Sequence, residues 1–281
     1  MNHAPGAPEV RIADYLLHEE LPARGTEIAC RATHRLLPRS ARVAIVSPAF
    51  AGHVPAEVQL VREACVLETL HHSGVPRVFE CGIVDHRPWV ASEYITGASI
   101  ADAAAGRPLS ISDALAVVRD AAAVLAHAHH RRVVHRDLTP RSIVRTPQRS
   151  FGLCILDWGC AAFDDHAEPR PHDPGTRFYR APETGDGDPG APADVFALGA
   201  VIFEATTLVP PGPVLTFPGV PVAFHHLLAG MLAHSPEERP TAAAVHAEAA
   251  RLAELYSDGD AAIEEVEVEL VDIFPASRDT P

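Results

Sequence analysis

The 281-residue sequence predicts an α+β fold of two lobes, a small β-rich first lobe and a larger helical second one. Two observations carry that prediction. Before Gly97 the apolar residues fall in short β-branched runs around one helical stretch, and after it they recur at helical spacing in Ala-rich segments. No apolar run approaches the roughly 18–20 residues of a membrane-spanning helix, so no membrane span is expected.

After an N-terminal extension at 1–14, the first lobe is expected over 15–94. ARVAIV at 41–46 is β-branched and apolar, the composition of a buried strand. In AEVQLVREACVLETL at 56–70, Leu60, Ala64, Leu67 and Leu70 recur at helical spacing, flanked by Val61 and Cys65. RPWVASEYI at 87–95 reads as another strand, and the lobes join near 93–97. In the second lobe, 95–256, the segment 111–130 predicts a helix with Ser110 or Ser112 as its N-cap. Further helices are expected at 194–207, 221–233 and 241–256. The acidic tail, 257–281, carries eight acids and one arginine. Its centre, EEVEVEL, alternates apolar and acidic residues, which suits an edge strand or a solvated tail.

The net charge is −14, and no basic stripe marks a nucleic-acid surface. All 23 basic residues are arginine; the chain contains no lysine. Any role that needs a compact ammonium must therefore be absent or taken by a planar guanidinium. The five cysteines form no C-x-x-C pair and read as small hydrophobes in a reducing compartment. The 17 histidines, among them His127, His129 and His130, have no metal-ligand spacing and read as surface or core residues. No basic segment followed by an apolar stretch opens the chain, so a cytoplasmic location is expected.

The chemistry sits in an ordered series of motifs. His135-Arg136-Asp137-Leu138 is followed by Thr139-Pro140-Arg141-Ser142-Ile143-Val144, and Asp157-Trp158-Gly159 begins twenty residues after Asp137. Gly175-Thr176 leads into Ala181-Pro182-Glu183, and Asp194 and Glu238-Arg239-Pro240 lie downstream. In order and spacing this series resembles the eukaryotic-type Ser/Thr protein kinases, including their bacterial members, over about residues 15–256. The resemblance implies a bilobal protein-kinase-like fold with ATP and Mg²⁺ as cofactors and a protein substrate or partner. It makes Asp137 the group that orients the acceptor hydroxyl and Asp157 the Mg²⁺ ligand. Trp158 takes the usual Phe position as an apolar plug, and Glu183 pairs with Arg239 to anchor the activation segment. His135, Asp194 and the P+1-type Thr176 complete the scaffold. Ala29, Ala44 and Val144 would sandwich an adenine whose edge bonds the backbone of Glu93 and Ile95, with Ser92 as a small gatekeeper. The Gly175–Glu183 segment favours protein kinases over small-molecule kinases of the aminoglycoside type.

The resemblance fails where phosphate is gripped. Val43-Ala44-Ile45-Val46 stands for V-A-I-K, so the lysine that would pair with Glu63, seventeen residues on, is Val46. Pro22, Arg24 and Glu27 occupy the three glycine positions of the phosphate loop, removing one backbone donor and adding a negative charge. Ser142 replaces the asparagine that binds the second Mg²⁺, and Thr139 replaces the catalytic-loop lysine. Arg24 and Arg31 are candidate substitutes for the missing lysine, and Arg141 for the missing catalytic-loop charge. Between Trp158 and Gly175 there is no Ser, Thr or Tyr, so Arg136 meets no phosphosite there; Asp164, Asp165, Glu168 and Asp173 offer carboxylates instead. Two readings stay open: a regulatory or scaffolding pseudokinase with weak or absent ATP binding, and an active, atypical Ser/Thr kinase.

Overall fold

The computed structural model describes residues 10–22, 25–163, 174–185, 190–211 and 220–257. It divides into two compact units, one of residues up to 71 with 76–96 and one of 72–75 with residues from 97 onward. No helix among the described residues is long and apolar enough to cross a membrane. The acidic tail from 258 onward, Arg24, and the acidic residues between 164 and 173 lie outside the described residues, as does the side chain of Thr176.

The first unit is an antiparallel six-stranded sheet in the order β1-β2-β3-β4-β6-β5 with one helix, α1. The strands are β1 (Arg11–Ile12), β2 (Tyr15–Glu20), β3 (Glu27–His34), β4 (Ser40–Val46), β5 (Val78–Val84) and β6 (Arg87–Glu93). α1 runs from Val54 to Leu70, two residues longer at its start than the periodicity predicts. Val54 and Pro55 open it, and a proline tolerates the first turn because its missing N–H would have no helical partner there. β4 is apolar on both sides because both sides are covered. Ala41, Val43 and Ile45 join Tyr15 and Trp89 in one cluster, while Ala44 and Val46 join Ala56, Leu60 and Ala64 of α1 in the other. Val61 and Cys65, on the opposite side of α1, are exposed.

The second unit is helical around small sheets. Its strands are β7 (Ala98–Ser99), β8 (Val133–Val134), β9 (Ile143–Arg145), β10 (Leu153–Ile155) and β11 (Ala162–Phe163), paired as β10-β9-β7 and β11-β8. At its start Gly97 has no room for a side chain, since a Cβ there would lie 2.0 Å from the Arg145 carbonyl oxygen. A four-residue helix, α2 (Ile100–Ala103), follows behind a Ser99–Asp102 capping box. α3 spans Ile111–His130, the range that its spacing predicts, and Ser110 Oγ accepts from the Asp113 amide 3.1 Å away. α4 (Ala191–Thr207) is buried nearly all round, the mark of a helix at the centre of a core. α5 (Val222–Met231) and α6 (Ala242–Ser257) complete the unit, and α6 packs along α3.

Candidate functional site

Each unit carries its own half of the predicted site. In the first, the β3–β4 register puts Glu27 opposite Val46, Ala29 opposite Ala44 and Arg31 opposite Arg42. Alternate residues of a strand share a face, so these six side-chain positions lie on the face that packs against α1. Val46 is 1% exposed within the apolar cluster. At the position of the expected cation, the side chain is part of the core.

A cation does occupy this face, and it is Arg42, which the sequence reading did not select. Its Nη2 donates to Glu27 Oε1, with the two side chains 23% and 11% exposed. Burial works against the charge of Arg42, but Glu27 and Glu63 outweigh it and hold the guanidinium above its ordinary pKa. Glu63 of α1 therefore still acts on a cation, four residues upstream of the lysine position. The candidate Arg31 is engaged elsewhere: its Nε lies 2.8 Å from Glu19 and its guanidinium 5.9 Å from the Tyr94 ring centre. Arg87 reaches the other end of β4, donating to the Val46 carbonyl at 3.0 Å. Ser92 is buried and stands opposite Arg42 in the β4–β6 register. The Glu93 amide donates to the Arg77 carbonyl at 2.7 Å, and Ile95 is half-buried.

In the second unit the catalytic-loop motif is built around Asp194, a fully buried residue of α4. Its carboxylate accepts from the His135 amide and the Arg136 amide, each at 2.8 Å, and pairs with His129 Nε2 at 2.9 Å. Burial alone would raise the carboxyl pKa, but His129 and His135 outweigh it and hold Asp194 below the usual carboxylate range. Arg136 takes φ +70°, a left-handed conformation that costs a non-glycine residue about 1–2 kcal/mol. The two amide bonds to Asp194 clamp that backbone just before Asp137. His129 was legible only as one of many histidines, although its place in the last turn of α3, six residues before His135, was a usable signal.

His135 is also buried, with Nε2 2.8 Å from the Leu156 carbonyl and its ring edge-on to Trp158 at 4.6 Å. Trp158 is fully buried, and its indole N–H donates to the Ile155 carbonyl at 2.9 Å, a bond a phenylalanine cannot make. Asp157, just before it, has φ +69° and is half-buried, as is Asp137. Val144 lies on β9, 6% exposed.

Ser142 is fully buried, and its hydroxyl is spent inside the loop. Oγ accepts from the Thr139 amide and donates to the Thr139 carbonyl, each at 2.9 Å. Arg141 is exposed and lines a cleft of about 560 Å³ with Thr139, Pro140, Tyr179 and Glu204. The Tyr179 hydroxyl donates to Glu204, and burial together with that carboxylate pushes its pKa above the ordinary tyrosine range. Glu183 and Arg239 meet as a bidentate pair, with N···O distances of 2.7 and 2.8 Å.

Two residues, Asp157 and Ser142, make up the predicted metal set. Among the described residues no group of three His, Cys, Asp or Glu side chains is placed to hold a metal ion. Asp157 is the single carboxylate of the predicted metal set, and the Ser142 hydroxyl has both its donor and an acceptor position committed to Thr139.

Comparison with known proteins matches this architecture. The protein kinase domain family model matches residues 51–249. Serine/threonine-protein kinase Pkn1 of Myxococcus xanthus is 31% identical over 203 residues, covering 63% of this chain and 29% of that protein. PknJ of Mycobacterium tuberculosis is 27% identical over 288 residues, covering 92% of this chain and 49% of its own. PknE of the same species is 27% identical over 201 residues, with 64% and 36% covered. The chain thus spans at most about half the length of these relatives. With the family model matched over more than half of the chain, on a β-sheet lobe and a helical lobe carrying the motifs in order, the chain belongs to the protein kinase domain family, of the eukaryotic Ser/Thr type.

Proposed function

We propose that this chain is a pseudokinase, a kinase-family domain that regulates or scaffolds a protein partner in the cytoplasm, with weak or absent ATP binding. The observation that carries this reading is the burial of Val46 in the apolar cluster under α1, with Arg42 on the same face already neutralised by Glu27. Losing one preorganised charge donor lowers turnover by roughly 10²–10³. The enclosed Ser142 hydroxyl adds a second loss, at the metal end of the loop. The second reading, an active atypical Ser/Thr kinase that transfers the ATP γ-phosphate to protein hydroxyls, is favoured by the field of Glu63 on Arg42 and by the retained Asp137 and Asp157. In that case ATP and Mg²⁺ are the cofactors and Asp157 the metal ligand.

Incubation of the full chain with γ-labelled ATP and Mg²⁺ or Mn²⁺, beside Asp137→Asn and Asp157→Asn, separates the two readings. The expected result is label no higher in the parent than in either variant. Label in the parent that both substitutions abolish would establish the second reading instead.

A further inference from the structure

We infer that the Arg42–Glu27 ion pair is a latch lying across the face where an adenine would pack, so that nucleotide enters only when the latch opens. This inference rests on the proposed assignment of Ala29 and Ala44 to that face and deepens the reading of weak or absent nucleotide binding. The register carries it. Arg42 and Glu27 lie on adjacent strands, offset by four residues along the sheet, because Glu27 faces Val46 while Arg42 faces Arg31. Four residues of strand span ~13 Å, close to the combined reach of an extended arginine and an extended glutamate. The two side chains nevertheless meet. They must therefore run toward each other along the sheet, over the residues between them on that face, which are the paired Ala29 and Ala44.

Methyl side chains are what allow this path, since any larger residue at 29 or 44 would lift the guanidinium off the sheet. Ala29 and Ala44 are 2% and 0% exposed in the cluster that Ala56, Leu60 and Ala64 of α1 share, so α1 and the ion pair together close the surface that an adenine needs. The charges reinforce the closure. The guanidinium is shared between Glu27 and the field of Glu63, so opening the latch leaves carboxylates beside an incoming anion unless Arg42 follows the phosphates. The ligand class that competes with the latch is a purine nucleoside or nucleotide. Arg42 is a positioning residue in this scheme: it decides whether the adenine face is open.

The test uses the full chain and two probes, adenosine, which reports the adenine face without phosphate charge, and ATP without added metal. Binding is followed by calorimetry and by the shift in melting temperature. Arg42→Ala clears the face but leaves Glu27 and Glu63 without their cation, so Arg42→Ala/Glu27→Ala is made beside it to guard against misfolding. Adenosine affinity should rise about tenfold or more in the double variant relative to the parent. Glu27→Gln frees the guanidinium, and it should gain more for ATP than for adenosine. Equal adenosine affinity in the parent and the folded double variant, whether tight or absent, overturns the latch. Neither readout involves phosphate transfer, so a parent that transfers phosphate ends the pseudokinase reading while leaving the latch to be judged on affinity alone.

Discussion

Truncating Arg239 to alanine should destabilise the second unit by about 3–5 kcal/mol, the cost of removing one partner from a buried ion pair. The side chain is fully buried, and all five of its N–H donors are used. Nη1 bonds Glu183 Oε1 and the Pro192 carbonyl, Nη2 bonds Glu183 Oε2 and the His234 carbonyl, and Nε bonds the Ala233 carbonyl. The guanidinium carbon also lies 4.9 Å from the ring centre of Phe196 on α4. One planar group thus ties the 182–185 turn to α4 and to the loop after α5. Lysine offers three donors and no fork, so Arg239→Lys should recover only a minor part of the loss. Urea unfolding of parent, Arg239→Ala, Glu183→Ala and the double variant checks this through the midpoint shifts. The double variant should lose clearly less than the sum of the singles, because neither charge is then left alone. Additive losses would mean that Arg239 acts through its carbonyl contacts and not through Glu183.

The parts of this molecule that were legible in the sequence are those fixed by local periodicity or by a long ordered series of motifs. α3 announced itself by twenty residues of helical spacing behind a serine cap, and β4 by a β-branched, apolar run interrupted only by Arg42, the composition of a buried strand. The Glu183–Arg239 partnership and the place of Asp194 were implied by the resemblance to the kinase family that the whole series carries. Short strands such as β7 and β11, two residues each, carry no period to read. The role of Arg42 was hidden for a different reason. The expected substitute cations, Arg24, Arg31 and Arg141, belong to the phosphate loop, its strand and the catalytic loop, whereas Arg42 lies on β4 itself, two alternations before Val46 on the same face. That parity was available, but the partner was not, because Glu27 meets Arg42 only through the β3–β4 register. Ser142 was legible by its place in the motif, where the family has the asparagine of the second Mg²⁺, whereas its two hydrogen bonds to Thr139 exist only in the folded loop.

Asp194→Asn should cost nearly as much as loss of Arg239, about 3–5 kcal/mol at neutral pH, although it changes only one atom. The carboxylate takes three donors at once, the amides of His135 and Arg136 and the His129 ring, on two different oxygens. An asparagine has one acceptor oxygen, so its NH₂ must face at least one of these donors, and each charge-assisted bond is worth about 1.5–3 kcal/mol. The charge component gives the loss a pH signature. Because the folded-state pKa of Asp194 lies below its unfolded value, its stabilisation is complete above the unfolded pKa and disappears as pH falls through the folded one. The gap in melting temperature between parent and variant should stay constant from pH 7 down to about 5 and narrow below about 4. A gap that persists undiminished into strong acid would assign the effect to shape and not to charge. The substitution should also reach beyond stability. Arg136 keeps φ +70° while two adjacent amides are held by Asp194, and Asp137 is the next residue along. Releasing that clamp lets the strained backbone relax toward ordinary φ values, so hydrogen exchange at residues 135–137 should accelerate in the variant well before global unfolding does.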